Sequence, residues 1–409
     1  FPFDTGNQIW GSAAAADLDN DGNLDFVIAS KSKHLYIFDK NGLKTDYNAN
    51  KYLMGTPAIG NLDDDDDLEV VVGGYSSPTS SNPIFAINPD GSDVDGFPLI
   101  LGEKTKAGVA LADFNGNGKD DIVVGTDDDN IYLIYDDGSI APGFPYTTGD
   151  KIQAPPTIQE INGEKVIFTG SNDNSLYAIK SDGSLLFSVV TGDKILSSPS
   201  VLEHNGQIYI FFGSNDDMIY AVDSDGNALS VWPIDVNGNI GGSVVFADLD
   251  GDNTAEVIAA TDMGDVVAFH LNGDPYPYFP IANGFPFSGA PMTTDLDNDG
   301  DLEIVTGSGS NLFVIDIKES GSNSNYWSMF RGNKQRSGTY MPSDDDPECG
   351  ADLGDVTGDG NINILDLVQI ANYILNVGTP AYPCAADFTQ DGNVNILDLV
   401  QIANYILDN

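Results

Sequence analysis

The chain has 409 residues, with 63 Asp and Glu against 16 Lys and Arg, for a formal net charge of -47. Such an excess repels nucleic acid and anionic membrane surfaces, so neither is an expected partner. A hydrophobic content of 41% with 10% aromatics argues against disorder and makes bound cations the better account of the acidity.

No apolar run approaches the roughly 18 residues of a membrane span, and no basic-then-apolar segment opens the chain. It begins at Phe1, which reads as the mature product of a processed precursor or as a trimmed chain.

Self-similarity dominates the first 340 or so residues. A unit of about 43 to 52 residues recurs, built from an acidic loop, a β-branched run, a small-residue turn and a second strand. First strands are predicted at Asp25 to Ile28, Glu69 to Val72, Asp121 to Val124, Lys165 to Phe168, Ile208 to Phe211, Glu256 to Ala259 and Glu303 to Thr306. Their partners run from His34, Ile84, Ile131, Leu176, Ile219, Val266 and Leu312, most ending in turns such as Asn41-Gly42 or Asp182-Gly183. Short strands with Asn-Gly and Asp-Gly turns and no helical period indicate antiparallel hairpins, and radial repetition protects their edges. The expected fold is an all-β seven-bladed β-propeller over 1–341. A Gly-Phe-Pro tag recurs at Gly96, Gly143 and Gly284, and the chain itself opens Phe1-Pro2-Phe3. This predicts ring closure by the amino-terminal segment pairing with the last repeat and the Tyr326 to Tyr340 stretch.

Five units carry an acidic nonapeptide with oxygen ligands at alternate positions, which lets a tight loop aim several side chains at one hard cation. The sets are Asp17, Asp19, Asp21, Asn23 and Asp25; Asn61, Asp63, Asp65, Asp67 and Glu69; Asp113, Asn115, Asn117 and Asp121; Asp248, Asp250, Asp252 and Glu256; and Asp295, Asp297, Asp299, Asp301 and Glu303. The third has Lys119 and two Asn, and the second has Asp66 in place of the usual Gly, so both are expected to be weak or vacant. Units four and five lack the loop.

This pattern resembles the FG-GAP repeat of integrin-like propellers over about residues 10 to 318, and units four and five look closer to quinoprotein-like repeats. The resemblance implies up to five structural Ca²⁺ ions that tie strands together.

After a polar linker at 342–348, residues 349–409 contain no Lys, Arg or His. Two twelve-residue loops place oxygen ligands at positions 1, 3, 5, 7, 9 and 12: Asp355, Thr357, Asp359, Asn361, Asn363 and Asp366, then Asp387, Thr389, Asp391, Asn393, Asn395 and Asp398. Each loop runs into the same Asn-Ile-Leu-Asp-Leu-Val-Gln-Ile-Ala-Asn-Tyr-Ile-Leu sequence. The segment resembles a dockerin, which implies a small all-α domain with two EF-hand-type loops, two Ca²⁺ ions and a cohesin-type partner. Unlike the usual cellulosomal pattern, loop positions 10 and 11 are Ile364-Leu365 and Ile396-Leu397, so recognition is expected to be apolar, through these four with Val368 and Val400. On the first helix Leu367, Ile370, Ala371 and Ile374 form a core stripe, leaving Val368, Tyr373 and Leu375 as a second apolar set. Cys349 and Cys384 precede the two loops, and secretion favours a disulfide between them over two free thiols.

These features predict an extracellular or cell-surface, non-catalytic assembly protein. Its docking module would bind a cohesin-like domain or the propeller of another copy, and the latter contact generates a ring or filament. Arg331, Lys334 and Arg336 are a candidate basic patch for such a neighbour, with a solvated surface as the alternative. A glycan- or protein-binding propeller delivered to a scaffold is the competing reading, for which Pro275 to Pro280 is the segment of interest. An enzyme finds less support: no Ser-His-Asp or His-metal spacing appears, and His34, His204 and His270 read as structural or solvated.

Overall fold

The computed structural model describes residues 3–340 except 66, 79–80, 298 and 310, and, beyond them, 353–358, 361–375, 380, 383–386, 388, 394 and 396–408. The chain divides into two compact units, Phe1–Tyr340 and Met341–Asn409.

Among the described residues the first unit forms seven antiparallel sheets, each assembled from one stretch of chain. The fourth shows the plan: Thr157–Ile161, Glu164–Gly170, Ser175–Lys180 and Leu185–Val190 pair in chain order. Second strands such as Asp121–Gly125 and Glu256–Ala260 are buried at every residue. Burial on both faces explains their near-continuous Val, Ile and Ala.

The first strands, Ala14–Ala16, Ala58–Gly60, Ala110–Ala112, Thr157–Ile161, Ser200–His204, Val245–Ala247 and Met292–Thr294, lie around a common axis. The residues just before them (Gly11, Gly55, Gly108, Pro155, Ser198, Gly242 and Gly289) line a single cavity together with Phe330. One residue from each repeat at one cavity makes the arrangement a closed ring. The backbones meet so closely there that a Cβ on Gly55 would collide with the Ala107 carbonyl.

The ring is sealed differently from the sequence expectation. The seventh sheet has three strands, Met292–Thr294, Asp301–Ser308 and Asn311–Ser320, and the amino-terminal segment adds none among the described residues. Phe3 instead packs edge-on against Tyr36 and Phe38 of the first sheet, with ring centroids 5.1 and 5.0 Å apart. The stretch after Ser320 threads the axis as a hub. N–H groups of the innermost strands donate to its carbonyls: Ala15 to Lys334, Ile59 to Gln335, Leu111 to Ser337, Ile158 to Gly338, Phe246 to Trp327 and Thr293 to Ser328, all at 2.8 to 2.9 Å. Exposed inner edges of six sheets thereby find partners, as buried backbone donors must.

Arg331, read from the sequence as part of a basic surface, is fully buried in this hub. Its guanidinium donates to the carbonyls of Val109 and Pro156 and to Ser198 Oγ, bridging three sheets, while Arg336 donates to the carbonyls of Ala13 and Phe330. Burial lowers both guanidinium pKa values. Arg331 and Arg336 thus serve the hub, which needs long donors to reach converging carbonyls, while Lys334, the third residue of that cluster, stays exposed.

The second unit contains α1 (Ile364–Ile374) and α2 (Ile396–Asp408). Its small core gathers Val356, Ile370, Ala385, Ala386 and Ile402, with Leu367, Ile374 and Phe388 against it. Tyr373 also packs on this core, so it leaves the second apolar set in which the sequence placed it. Cys349 and the side chain of Cys384 lie outside the described residues, as does the disulfide expectation.

Candidate metal centres and docking face

The five acidic loops of the first unit share one piece of local chemistry. In four of them a carboxylate oxygen of the ninth residue accepts the N–H of the second: Glu69 from Leu62 at 2.6 Å, Asp121 from Phe114 at 2.8 Å, Glu256 from Leu249 at 2.7 Å and Glu303 from Leu296 at 2.6 Å. The first residue accepts further loop N–H groups, as Asp17 does from Asp21 and Gly22 and Asp248 from Gly251 and Asn253. These bonds close each loop and leave the remaining oxygens converging. The carboxylates of Asp17, Asp19 and Asp21, of Asp63, Asp65 and Glu69, of Asp248, Asp250 and Asp252, and of Asp295, Asp297 and Asp299 each offer oxygens within 4.8 Å of one another.

What meets those oxygens differs from loop to loop. In the second, Asn61 Oδ1 and Glu69 Oε1 are buried with no hydrogen-bond donor, and in the seventh the same holds for Asp295 Oδ1 and Asp301 Oδ1. Such acceptors cost about 1–3 kcal/mol each unless satisfied, and a hard cation satisfies all of them at once. These two loops therefore fit Ca²⁺ well. Burial, reinforced by Asp63, Asp65 and Asp67, pushes the Glu69 carboxyl up to about 7. In the first loop an ammonium already stands among the ligands, with Lys44 Nζ 2.7 Å from Asp19 and 3.1 Å from Asp25. In the third, amide groups fill the centre: Asn115 Nδ2 donates to Asp121 and Asp136, and Asn117 Nδ2 donates to Asp136. Lys119 pairs with Asp64 of the second loop at 2.8 Å and lies 3.8 Å from Asp136. The third loop fits a cation poorly, and the reason is the orientation of its amides.

At the rim of the seventh-sheet set the largely exposed Lys318 ammonium lies 2.6 Å from Asp316 and no nearer than 3.8 Å to a loop carboxylate, that of Asp301. In the sixth-sheet loop the partner is His270, with Nδ1 2.9 Å from Glu256 Oε1. Asn23 donates to Asp21, and Asp67 N–H donates to Asp65, so Asn23 and Asp67 shape their loops through such bonds.

Sheets four and five replace the acidic loop with Asn162-Gly163 and Asn205-Gly206, all four residues at positive φ, from 54° to 80°. This is the two-residue turn that Asn-Gly favours between twisted strands.

In the second unit, Asn363 caps α1: its side chain accepts the Leu365 N–H at 2.8 Å, and Asp366 accepts the Asn363 N–H at 2.9 Å. The same Asp366, fully buried, accepts from Thr357 N–H and Oγ1 at 3.0 and 2.9 Å, and Thr357 Oγ1 also donates to the buried Asp355. The first and last ligand positions of this loop thus converge under the helix amino end, where the helix dipole also favours acidic side chains. Asn361 supplies a carbonyl that accepts the Asn363 side-chain amide. Asp398, which opens α2, is likewise buried. Asp359, Asp387, Thr389, Asp391, Asn393 and Asn395 lie outside the described residues.

Around this loop Ile364, Leu365 and Val368 stand 61%, 58% and 50% exposed, and Val400 on α2 is 51% exposed. Among the described residues these are four large apolar side chains half or more in water on a small unit. The side chains of Ile396 and Leu397 lie outside the described residues. Residues 353–407 match the dockerin type I domain. Members of that family bind calcium and dock to cohesin partners. No curated protein matches the chain.

The first unit resembles solved propeller-like structures. BamB from Moraxella catarrhalis aligns with a TM-score of 0.55 at 16% identity, covering 76% of this chain and 88% of that one. BBS1N, crystallised with ARL6DN, aligns at 0.52 with 15% identity, covering 76% and 92%. At such identities the likeness shows the fold alone. In the Pro275 to Pro280 segment one aromatic side chain stands in solvent: Tyr276 is buried, its hydroxyl directed at Leu249 and Glu319, Phe279 packs on it, and Tyr278 is 96% exposed. No helix among the described residues is long and apolar enough to cross a membrane.

Proposed function

We propose that this chain is a secreted, non-catalytic assembly protein: a seven-bladed, FG-GAP-like propeller stiffened by calcium, carrying a dockerin-type module that docks to a cohesin-like partner. The observation that carries the reading is the pairing, in one small unit, of a buried Asp355–Asp366 ligand pair with exposed Ile364, Leu365 and Val368 at the junction of the loop and α1. Calcium would fix the loop, the loop would fix the start of α1, and α1 would present the apolar contact. Two ions are assigned to this module, and the loops of the second and seventh sheets are the best supported of the five in the propeller. The propeller would serve as a rigid platform in an extracellular or surface assembly.

The test is a calorimetric titration of the full chain with a recombinant type I cohesin domain, with calcium and after its removal. Calcium-dependent binding that Leu365→Asp weakens by at least tenfold, while the thermal transition of the first unit stays unchanged, supports the reading. Absence of binding together with calcium-dependent growth in light-scattering mass would transfer the docking role to a second copy of the chain.

A further inference from the structure

We propose that the sixth-sheet loop is a mixed oxygen and nitrogen metal site in which Asp250, Glu256 and His270 hold a first-row transition ion, of the zinc, cobalt or manganese class. It deepens the calcium reading of the loops at one loop only. One ligand atom from each of the three residues falls within a common 4.8 Å sphere of mutual distances. The strand register creates the site. Glu256 lies directly opposite His270 in the sixth sheet, so both side chains point to one face of the pleat. The matching pair in the seventh sheet is Glu303 with Asp316. Extending the registers of the second and third sheets by one residue places Asn88 opposite Glu69 and Tyr135 opposite Asp121. Only the sixth sheet puts an imidazole beside the loop.

The surroundings favour a softer ion there. Glu256 is fully buried, and its Oε2 is committed to the Leu249 N–H, so Oε1 is the oxygen that faces His270. His270 keeps 28% of its side chain exposed, which leaves an approach for an ion, and its ring packs 5.5 Å from that of Tyr276, which fixes its orientation. No lysine forms an ion pair with this loop among the described residues, in contrast to Lys44 in the first loop and Lys318 in the seventh. Calcium takes oxygen ligands almost exclusively, whereas imidazole suits zinc, cobalt and their neighbours. Asp250 also belongs to the all-oxygen group with Asp248 and Asp252, so calcium and the transition ion would compete for it.

With three histidines in the chain, the imidazole spectrum resolves the question without any mutation. Protein labelled with ¹⁵N-histidine is held in excess calcium and titrated with Co²⁺, following the imidazole signals and the bound calcium per chain. The expected result is paramagnetic loss of one imidazole set near one equivalent, that set being absent from His270→Gln, with Co²⁺ affinity in the variant reduced by at least about tenfold. Equal Co²⁺ binding by His270→Gln, or a response confined to His34 beside Asp46, would overturn the proposal. Retained calcium at the other loops in the same sample would show that the calcium reading survives such a failure.

Discussion

Sheets four and five close the hairpin between their first two strands with a two-residue Asn-Gly turn, and the other five close it with a long acidic loop. In the former the strands are long enough to pair up to the turn, with Ile161 opposite Glu164 and His204 opposite Gln207. In the latter the innermost strand is three residues long and pairing stops at Asp25, Glu69, Asp121, Glu256 or Glu303. The turn of one group is held by backbone preference, which works under any ionic condition. The loop of the other is held by carboxylates that repel one another until something positive or a proton stands among them. Two of the seven sheets should therefore be indifferent to calcium, and they are adjacent in the chain.

The largest test of this contrast is removal of calcium. A site filled at a thousand times its Kd contributes about 4 kcal/mol, so stripping the well-fitted loops should lower the melting temperature by many degrees. Hydrogen exchange measured on the calcium-loaded and the stripped protein should show lost protection in the second and seventh sheets, retained protection in Glu164–Gly170 and Gln207–Gly213, and loss of helix protection in α1 and α2. Uniform loss across all seven sheets would mean that the ring melts as one unit and the contrast has no energetic content.

Most of this plan can be read in the sequence. The seven strand pairs are legible because β-branched runs of period-free apolar residues are what doubly buried strands require, and Glu256 at the head of Val257-Ile258 is visible as both loop end and strand start. The innermost strands are not legible: Ala14–Ala16 is three alanines and Ala110–Ala112 is Ala-Leu-Ala, runs too short to signal a strand, and their place is set by the axis. The hub is harder still. Its bonds to the innermost strands run from backbone to backbone and carry no side-chain signature, and it buries Arg331 where a basic cluster on an acidic protein reads as surface. His270 went unrecognised as a partner of Glu256 because the two meet only through the register of a hairpin.

A pair of substitutions sharpens the contrast further. Gly206→Ala meets no neighbouring atom but must hold a positive φ of 71°, so it should cost about 1–2 kcal/mol, the same with and without calcium. Glu69→Gln should destabilise the calcium-loaded protein by at least as much, and leave the stripped protein unchanged or raise its melting temperature, because a buried charge among Asp63, Asp65 and Asp67 is removed. Denaturant unfolding of both variants in both states measures the difference. A Glu69→Gln cost that persists after stripping would show that the folded loop itself, and not only the ion, requires the carboxylate.

The smallest effect concerns protons, and it has opposite signs in the two states. Burial holds the Glu69 carboxyl in the stripped, folded protein at about 7, against a model-compound value of 4.5. Between those values the folded state binds the proton more tightly than the unfolded chain, so stripped protein gains stability as pH falls from 7 toward 4.5 and loses it as pH rises through 7. In the loaded protein the same carboxylate is needed ionised, and acid removes it from the ion. The gap in stability between loaded and metal-free protein should therefore close on acidification, by about 1 kcal/mol per pH unit at this loop just below its pKa. Asp121, which burial pushes up to about 6, should show no such gap, since its loop is already filled by the Asn115 and Asn117 amides. Calorimetric scans of calcium-loaded and metal-free protein at pH 7.5, 6.5 and 5.5, repeated on Glu69→Gln, separate the two loops: a gap that stays constant with pH, or closes equally in the variant, would place the proton-sensitive ligand elsewhere.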